Sequence, residues 1–269
     1  MSAIIEQDGI REFGSVVDFG RTASDYVRYR QGFPDQWFDT LIQKRIVKKA
    51  DRVLDLGTGT GSIARGLALR GLSAVGLDPS EALIEQAKNL DAALKVQTRY
   101  FIGTAEQTGL PSESFDIITA GQCWHWFKAS EVTQECLRLL TPGGRVIIAH
   151  FDWLPLKGNI VEATEKLILK FNPQWPMSGG TGIYPRWLND LALAGFGSIE
   201  TFSFDLDVPY KPEAWRGRIR ASAGVKATLS KKKVEEFDDA LRKIIEADFP
   251  EEILSIPHRC WTVIGSKQI

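Results

Sequence analysis

Short apolar runs separated by amphipathic stretches dominate the first half of the chain. The runs cover residues 53–56, 72–78, 96–102, 117–120 and 145–149. Between them, apolar side chains recur every three or four residues, which is the period of an amphipathic helix. Strands that alternate with helices form a mostly parallel sheet with helices on both faces. We therefore expect a doubly wound α/β fold.

The second half is predicted to complete the sheet. Alternating apolar and polar residues predict strands at 198–208 and 258–266, which makes a seven-stranded sheet. Helical and loop stretches at about 154–183 and 209–256 are expected to be helical cap insertions over the carboxyl end of the sheet. One domain would then cover 34–269, after an N-terminal lid segment at 1–33. Its first helix is expected to bury a face formed by Phe38, Leu41, Ile42 and Ile46.

Three alternate glycines follow the first apolar run. Gly57, Gly59 and Gly61 precede a helical stretch, and Asp55 lies at the end of the run. Glycine tolerates positive φ, and its missing Cβ lets a ligand approach the backbone. A second acid, Asp78, ends the next run about 20 residues on, the spacing at which nucleotide-binding folds place a carboxylate on ribose hydroxyls. The pattern predicts a nucleotide-cofactor site.

The glycine spacing separates two cofactors. The dinucleotide pattern G-x-G-x-x-G/A would put Ser62 at its third position, whereas the pattern here is D-x-G-x-G-x-G. A pyrophosphate favours bare helix N–H groups, and a carboxylate at Asp55 suits a cationic amine instead. On these residues the chain resembles the class I S-adenosylmethionine-dependent methyltransferases, within the small-molecule branch that includes the ubiquinone/menaquinone and trans-aconitate methyltransferases. The resemblance covers about residues 34–150 well.

The resemblance implies a Rossmann-like methyltransferase fold and a set of cofactor contacts. The glycine loop would hold the methionine half, Asp78 the ribose and residues 104–106 the adenine, while a Tyr/Arg-rich stretch near the N-terminus would cover the cofactor. The implied contacts to S-adenosyl-L-methionine (product S-adenosyl-L-homocysteine) are Tyr29, Arg30, Asp55, Gly57, Thr58, Gly59, Gly61, Asp78, Pro79, Thr104, Ala105, Glu106, Gln122 and Trp124. A surface helix at 25–30 and an ordinary polar loop at 103–106 are the alternatives. No metal is expected.

Aromatic residues crowd the loop after the fourth run. Trp124 and Trp126 flank His125 there, at the point where this fold brings the sulfonium to the acceptor. Aromatic faces attract a sulfonium, so we expect at least one indole to line the pocket; the alternative places each in the core. His125 and His150 are candidate catalytic bases for a hydroxyl or an acidic C–H. A carboxylate acceptor needs no base, and structural histidines are the alternative.

Two arginines of the second insertion offer a candidate acceptor contact. Arg216 and Arg220 share a helix face at i, i+4, with Arg218 between them. Paired guanidiniums suit a carboxylate or phosphate. The alternative is a solvated helix face.

The composition of the chain limits the classes of partner that we expect it to bind. A net charge of −1 gives no electrostatic reason to expect nucleic acid, and no apolar stretch approaches the roughly 18 residues of a membrane span. The three cysteines have no metal-like spacing, and the first residues carry acids where a signal peptide carries bases. We expect a cytoplasmic monomer or homodimer that binds a small-molecule acceptor.

These observations predict an enzyme, an S-adenosylmethionine-dependent methyltransferase acting on oxygen or carbon of a small molecule. Two alternatives stay open. One is an NAD-dependent oxidoreductase on a Rossmann fold, and the other is a non-catalytic protein that binds S-adenosylmethionine.

Overall fold

A seven-stranded sheet forms the centre of the computed structural model, which describes residues 32–222, 224–225 and 228–268. Across the sheet the strands run in the order β3-β2-β1-β4-β5-β7-β6. Their bounds are β1 Arg52–Leu56, β2 Ser73–Asp78, β3 Arg99–Ile102, β4 Phe115–Gly121, β5 Leu140–Trp153, β6 Gly197–Tyr210 and β7 Leu254–Ser266.

Strand direction positions the functional edge. The five strands β3, β2, β1, β4 and β5 are parallel to their neighbours in the sheet. The strand β7 is antiparallel to both of its neighbours, β5 and β6. The chain order reverses between β1 and β4, and ligands bind open α/β sheets at the carboxyl ends of the strands around such a reversal. The predicted fold class, a mostly parallel seven-stranded α/β sheet, is confirmed.

Helices cover both faces of the sheet. They are α1 Asp35–Gln43, α2 Ser62–Ala68, α3 Glu81–Leu94, α4 Ala129–Leu139, α5 Ile160–Phe171, α6 Arg186–Ala194, α7 Pro212–Arg220 and α8 Lys231–Asp248. One hydrophobic cluster lies between the sheet and α1, α2, α5, α7 and α8, and a second lies between the sheet and α4 and α6. In the described part of the chain, no helix is long and apolar enough to cross a membrane.

Local sequence signals set several helix ends. Ser80 and Asn159 accept hydrogen bonds from the backbone N–H groups of Leu83 and Glu162, which makes them the N-caps of α3 and α5. Gly195 ends α6 in the left-handed conformation, with φ +97°.

The first helix buries the predicted face except at one position, and it buries Trp37 in addition. Trp37, Phe38 and Leu41 are buried, but Ile42 is 41% exposed. Ile46 is buried beyond the end of α1. The indole of Trp37 fixes this orientation, since its N–H donates to Thr262 Oγ1 of β7 at 2.9 Å.

The strands that border the cap are longer than predicted. β5 includes residues 141–144, which precede the predicted run at 145–149, because Gly143 and Gly144 exchange backbone hydrogen bonds with Lys267. β6 continues to Tyr210, beyond the predicted end at 208, and β7 begins at Leu254, before the predicted start at 258. β3 is shorter, because the N–H of Val96 bonds to Asp91 at the end of α3 rather than to a strand.

The two predicted insertions pack together. The indole N–H of Trp215 on α7 donates to Thr164 Oγ1 of α5 at 3.1 Å. Phe237, Leu241 and Ile245 of α8 are buried in the same cluster as Ile168 of α5. The helices of the second insertion therefore sit on that of the first. Their role as a cap, and the domain boundaries given above, remain predictions.

Candidate functional site

The glycine loop leaves β1 at the carboxyl edge of the sheet. Gly57, Gly59 and Gly61 all have positive φ, at +59°, +54° and +77°. The N–H of Thr58 donates to Leu77 O of β2 at 3.0 Å, which holds the loop across the edge of the neighbouring strand. The loop is therefore a fixed turn, and every second residue in it requires glycine.

The three glycines differ in what surrounds them. A Cβ on Gly57 would lie 2.9 Å from Cys123, and one on Gly61 would lie 2.3 Å from Tyr100 Oη. A Cβ on Gly59 would meet no atom of the described residues within 4 Å. Protein packing therefore explains the first two, while Gly59 presents bare backbone to open space. A cofactor needs such a position, where it can lie directly against the backbone.

Asp55 lies beneath this loop. Its carboxylate accepts hydrogen bonds from Thr58 Oγ1 at 2.6 Å and from Thr119 Oγ1 of β4 at 2.7 Å. Burial raises the pKa of Asp55 to about 6, although these hydrogen bonds oppose the shift. The carboxylate thus ties the loop to β1 and β4. A direct contact with a cofactor amine stays a prediction.

Asp78 connects the loop to β2. One carboxylate oxygen accepts from Gly59 N at 2.8 Å, and the other accepts from Ser80 N at 2.9 Å. Burial raises the pKa of Asp78, whereas both backbone N–H groups lower it. Pro79 follows at the exposed rim. The structure therefore brings Asp78 to the open glycine, as the spacing of the two motifs predicts.

The predicted adenine loop lies beside Asp78. Gly103 N donates to Asp78 O at 3.2 Å, so residues 104–106 leave β3 next to the end of β2. Thr104 is exposed, Ala105 is buried, and Glu106 accepts a hydrogen bond from Lys128 N at 3.1 Å. The loop is thus tied to the start of α4. Its contact with adenine stays a prediction.

The residues of the aromatic loop after β4 differ in burial: Trp124 lies in the core, and Trp126 is half-buried. Trp124 is 2% exposed, and its indole N–H donates to Asp190 Oδ2 at 3.0 Å, so it occupies the core position that the sequence left as the alternative. Gln122, with φ +58°, donates from Nε2 to Phe151 O of β5 at 3.1 Å. Trp126 is half-buried, with its ring 4.6 Å from that of His125. A cofactor contact by Trp124 or Gln122 stays a prediction.

The two candidate bases are neighbours. The ring centroids of His125 and His150 lie 5.4 Å apart, one after β4 and one on β5. His150 is buried, and its Nδ1 lies 2.8 Å from Asp152 Oδ2. His150 Nε2 has no hydrogen-bond partner among the described residues. The two ring nitrogens of His150 therefore have different surroundings, a carboxylate at Nδ1 and no described polar partner at Nε2.

Asp152 and Tyr184 complete this group, and sequence reasoning missed both. Tyr184 donates a hydrogen bond to Asp152. Burial acts to raise the pKa of Asp152, but the charge and hydrogen bond of His150, with smaller contributions from Tyr184 and His125, lower it to about 2. The i, i+2 spacing of His150 and Asp152 on one strand face was a readable signal. Tyr184 comes from a loop far along the chain, and its position was not readable.

Aromatic rings enclose the group. Tyr184 stacks on Trp187 with centroids 4.3 Å apart and planes 7° from parallel. Trp187 in turn lies 5.7 Å from His150 and 5.6 Å from Trp261 of β7. These rings shield the polar group from water on the side of α6.

The remaining predicted contacts either lie outside the described residues or are paired within the chain. Tyr29 and Arg30 lie outside the described residues. Arg216 and Arg220 both pair with Asp238 of α8, and Arg220 also pairs with Glu213. These pairs overturn the expectation that the two guanidiniums bind an acceptor anion, and the solvated-face alternative also fails because α8 covers them. Arg218 instead lies over the ring of Trp153, at 4.8 Å.

Charge separates the possible cofactors. A buried carboxylate, that of Asp55, lies at the base of the glycine loop and would repel a pyrophosphate, while Asp78 offers an acceptor for ribose hydroxyls. A ligand that carries a cation and ribose hydroxyls matches acceptors of this kind. The open face of Gly59 gives it space against the backbone. The residues present therefore fit S-adenosylmethionine better than a dinucleotide.

Comparison with known proteins points the same way. A methyltransferase-domain family model matches residues 54–148. An uncharacterised methyltransferase of Mycobacterium tuberculosis is 38% identical over 130 residues, which are 48% of this chain and 50% of that protein. A ubiquinone biosynthesis O-methyltransferase of Pseudomonas putida is 30% identical over 161 residues, 59% of this chain and 67% of that one. The chain spans about half the length of the mycobacterial relative.

Solved structures share the fold. A candidate type II methyltransferase from Anaeromyxobacter dehalogenans has a TM-score of 0.65 and 21% identity, covering 89% of this chain and 99% of its own. The phosphoethanolamine N-methyltransferase 2 of Haemonchus contortus, solved with S-adenosyl-L-methionine, has a TM-score of 0.57 and 19% identity, covering 95% of this chain and 61% of its own. The methyltransferase family predicted from the sequence is confirmed, and the chain belongs to the methyltransferases.

Proposed function

We propose that this chain transfers a methyl group from S-adenosylmethionine to an oxygen, or to a carbon, of a small-molecule acceptor. The observation that carries the proposal is the open backbone at Gly59, flanked by Asp78 and underlain by Asp55. The cofactor supplies an activated methyl group when it is bound. The chain's own task is to hold donor and acceptor in a reactive geometry and to exclude water.

Each part of the edge has a role in this proposal. The loop from Gly57 to Gly61 takes the methionine half, Asp78 the ribose hydroxyls, and the segment 104–106 the adenine. The end of β2 and the start of the loop after β3 are hydrogen-bonded to each other, which supports one continuous site for ribose and base. Asp55 acts mainly by keeping the loop in place.

A small acceptor would enter from the side of β4 and β5. The aromatic loop after β4, the His125–His150 pair and the cap helices α5, α7 and α8 border that side. The aromatic crowding around His150 supports a site that excludes water. An oxygen acceptor agrees with the name of the Pseudomonas putida relative, although the chain resembles it over part of its length. A cytoplasmic location and a monomeric or homodimeric state belong to the same proposal.

Calorimetric titration tests the cofactor assignment. We expect micromolar binding of S-adenosylmethionine and no binding of NADH. Asp78→Asn should weaken the binding at least tenfold, because an amide is a poorer acceptor for the ribose hydroxyls and for Gly59 N–H. Asp239→Asn, at an exposed carboxylate of α8, is the matched control and should bind as the wild type does. NADH binding without S-adenosylmethionine binding would establish the oxidoreductase alternative.

Turnover separates an enzyme from a binding protein. Transfer of a radioactive methyl group to a panel of hydroxylated, carboxylated and enolisable small molecules should label at least one class. Tight cofactor binding with no labelling across the panel would favour the non-catalytic alternative.

A further inference from the structure

His150 and Asp152 project from one face of β5, because residues two apart on a strand share a face. Nδ1 of His150 lies 2.8 Å from Asp152 Oδ2. His150 follows Ala149, which pairs with Gly121 at the end of β4. The imidazole therefore lies at the level of the aromatic loop, where the strands give way to the functional edge.

Tyr184 fixes the position of Asp152. Its hydroxyl donates to Asp152 and lies 3.3 Å from His150 Nδ1, and its ring is held by stacking on Trp187. A hydroxyl has one proton to donate, and that proton is used on the carboxylate. The carboxylate therefore has a fixed orientation toward the imidazole.

This arrangement selects one tautomer of His150. An ionised carboxylate only accepts hydrogen bonds, so the imidazole nitrogen that faces it carries the proton. Nδ1 is then the donor, and Nε2 keeps its lone pair. Because Nε2 is buried without a partner among the described residues, it carries a desolvation cost that folding alone does not explain.

We propose that His150 is the general base of the reaction, accepting the acceptor's proton on Nε2, and that Asp152 and Tyr184 are the positioning residues that hold the neutral ring in the tautomer with its lone pair on Nε2. The inference rests on the proposed function and makes the acceptor a hydroxyl compound. The O–H bond breaks and its proton bonds to Nε2. The electron pair of that bond becomes the new C–O bond, and the pair of the broken C–S bond stays on the cofactor sulfur. Solvent then takes the proton from the imidazolium.

The role of His125 differs from that of His150. Its ring lies 5.4 Å from that of His150 and 4.6 Å from that of Trp126. His125 also contributes to the lowered pKa of Asp152, but the 2.8 Å contact with that carboxylate is made by His150 Nδ1. Of the two histidines, the geometry therefore assigns the base to His150.

Imidazole nitrogen NMR tests the positioning without cofactor or acceptor. The chain has three histidines, so His125→Gln and His258→Gln assign the signals. The wild type should show His150 as the Nδ1–H tautomer by at least tenfold over the other. Asp152→Asn should reduce that ratio at least fivefold, and Tyr184→Phe should reduce it less. Tyr210→Phe, a buried tyrosine on β6, is the matched control and should leave it unchanged. A wild-type Nε2–H tautomer would overturn the proposal.

A chromophoric phenol tests the proton transfer itself. The probe is 4-nitrocatechol, bound in the presence of S-adenosylhomocysteine so that no methyl group can move. Its phenolate absorbance should rise on binding to the wild type and fall at least tenfold in the His150→Gln variant, with His258→Gln unchanged. Equal ionisation in the wild type and His150→Gln, or no binding of the probe, would overturn the assignment.

The two proposals fail separately. If S-adenosylhomocysteine does not bind in calorimetry, the proposed function fails, although the NMR result can still be positive. If it binds normally to the wild type and to His150→Gln, and only the tautomer or the ionisation result is negative, the general-base assignment alone fails.

Discussion

The backbone N–H of Gly59 donates to Asp78 Oδ2 at 2.8 Å, so the acid that ends β2 also shapes the loop that ends β1. Asp78 is thus predicted to have two roles, toward the loop and toward the ribose. Effects of Asp78 variants on cofactor affinity will contain both contributions. A substitution at Gly59 itself separates the two, because it leaves the carboxylate in place.

Gly59→Ala should weaken S-adenosylmethionine binding at least tenfold. The added methyl group would stand in open space that the cofactor is proposed to fill, and φ of +54° adds backbone strain of about 1 kcal/mol. Gly109→Ala is the matched control, since Gly109 also has positive φ, +69°, and its Cβ position has no neighbour within 4 Å in the described part of the chain. Calorimetry and denaturant unfolding measure the two effects. We expect both variants to lose similar stability and only Gly59→Ala to lose affinity. Equal affinities in the two variants would contradict the proposed contact between the cofactor and Gly59.

The sequence predicted this loop better than it predicted the base. Gly57, Gly59 and Asp78 are close in the chain, and backbone geometry dictates glycine, so local pattern and structure coincide. Tyr184 reaches Asp152 only through the packing of α6 on the sheet, and no local pattern encodes that contact. The same distinction applies to the fold. Buried parallel strands were visible as apolar runs, whereas the extent of β5 depends on pairing with β7, a partner distant in sequence.

Asp91 and Arg65 form a buried pair whose loss should be costly. Arg65 Nε lies 2.7 Å from Asp91, with both side chains almost fully covered, and the guanidinium also donates to Thr60 O in the glycine loop. Asp91→Ala should lower the free energy of unfolding by about 3–5 kcal/mol, because it leaves a buried charge without its partner. Glu246→Ala removes an exposed partner of Arg242 on α8 and should cost under about 1 kcal/mol. Urea unfolding compares the two, and equal losses would contradict the prediction.

Asp55 should make stability fall as pH rises through the acid range. Its pKa in the folded protein, about 6, lies above the ordinary value of 3.8, so the folded state binds more protons between these values and loses stability as pH rises. The slope is up to about 1.4 kcal/mol for each pH unit in that window. Asp55→Asn should remove this contribution, seen as a smaller decline in unfolding free energy from pH 4 to pH 6.

Asp116 provides a control of opposite sign for that experiment. Its hydrogen bonds and ion pair with Arg52 lower the pKa of Asp116 to about 2, against a smaller effect of burial. Asp116 therefore contributes to the stability of the folded state when the pH is above the ordinary pKa of 3.8, and this contribution is lost as the pH falls toward 2. Asp116→Asn should therefore reduce the loss of stability at low pH and leave the window of Asp55 unchanged. A change in the same direction for both variants would contradict the assignment.

Asp238 should control the stability of the cap more than that of the sheet. It pairs with Arg216 and Arg220, so Asp238→Ala leaves two partly covered guanidiniums to compete for Glu213. We expect a loss of about 2 kcal/mol. Amide exchange should accelerate in α7 and α8 before it does in β1 and β4. Asp239→Ala, one position along α8, is the control and should change neither. Uniform acceleration through the sheet would show that the cap and sheet unfold together.

The antiparallel strand β7 has a consequence for how the protein folds during synthesis. In the described residues β6 pairs only with β7, and β7 also covers the outer edge of β5. Because β7 begins at Leu254, β6 leaves the ribosome long before its partner does. Until then, β5 exposes a free edge of backbone hydrogen-bonding groups, which is a hazard for aggregation. The half of the sheet that holds the glycine loop needs no such late partner, so the cofactor side can assemble first and the acceptor side last.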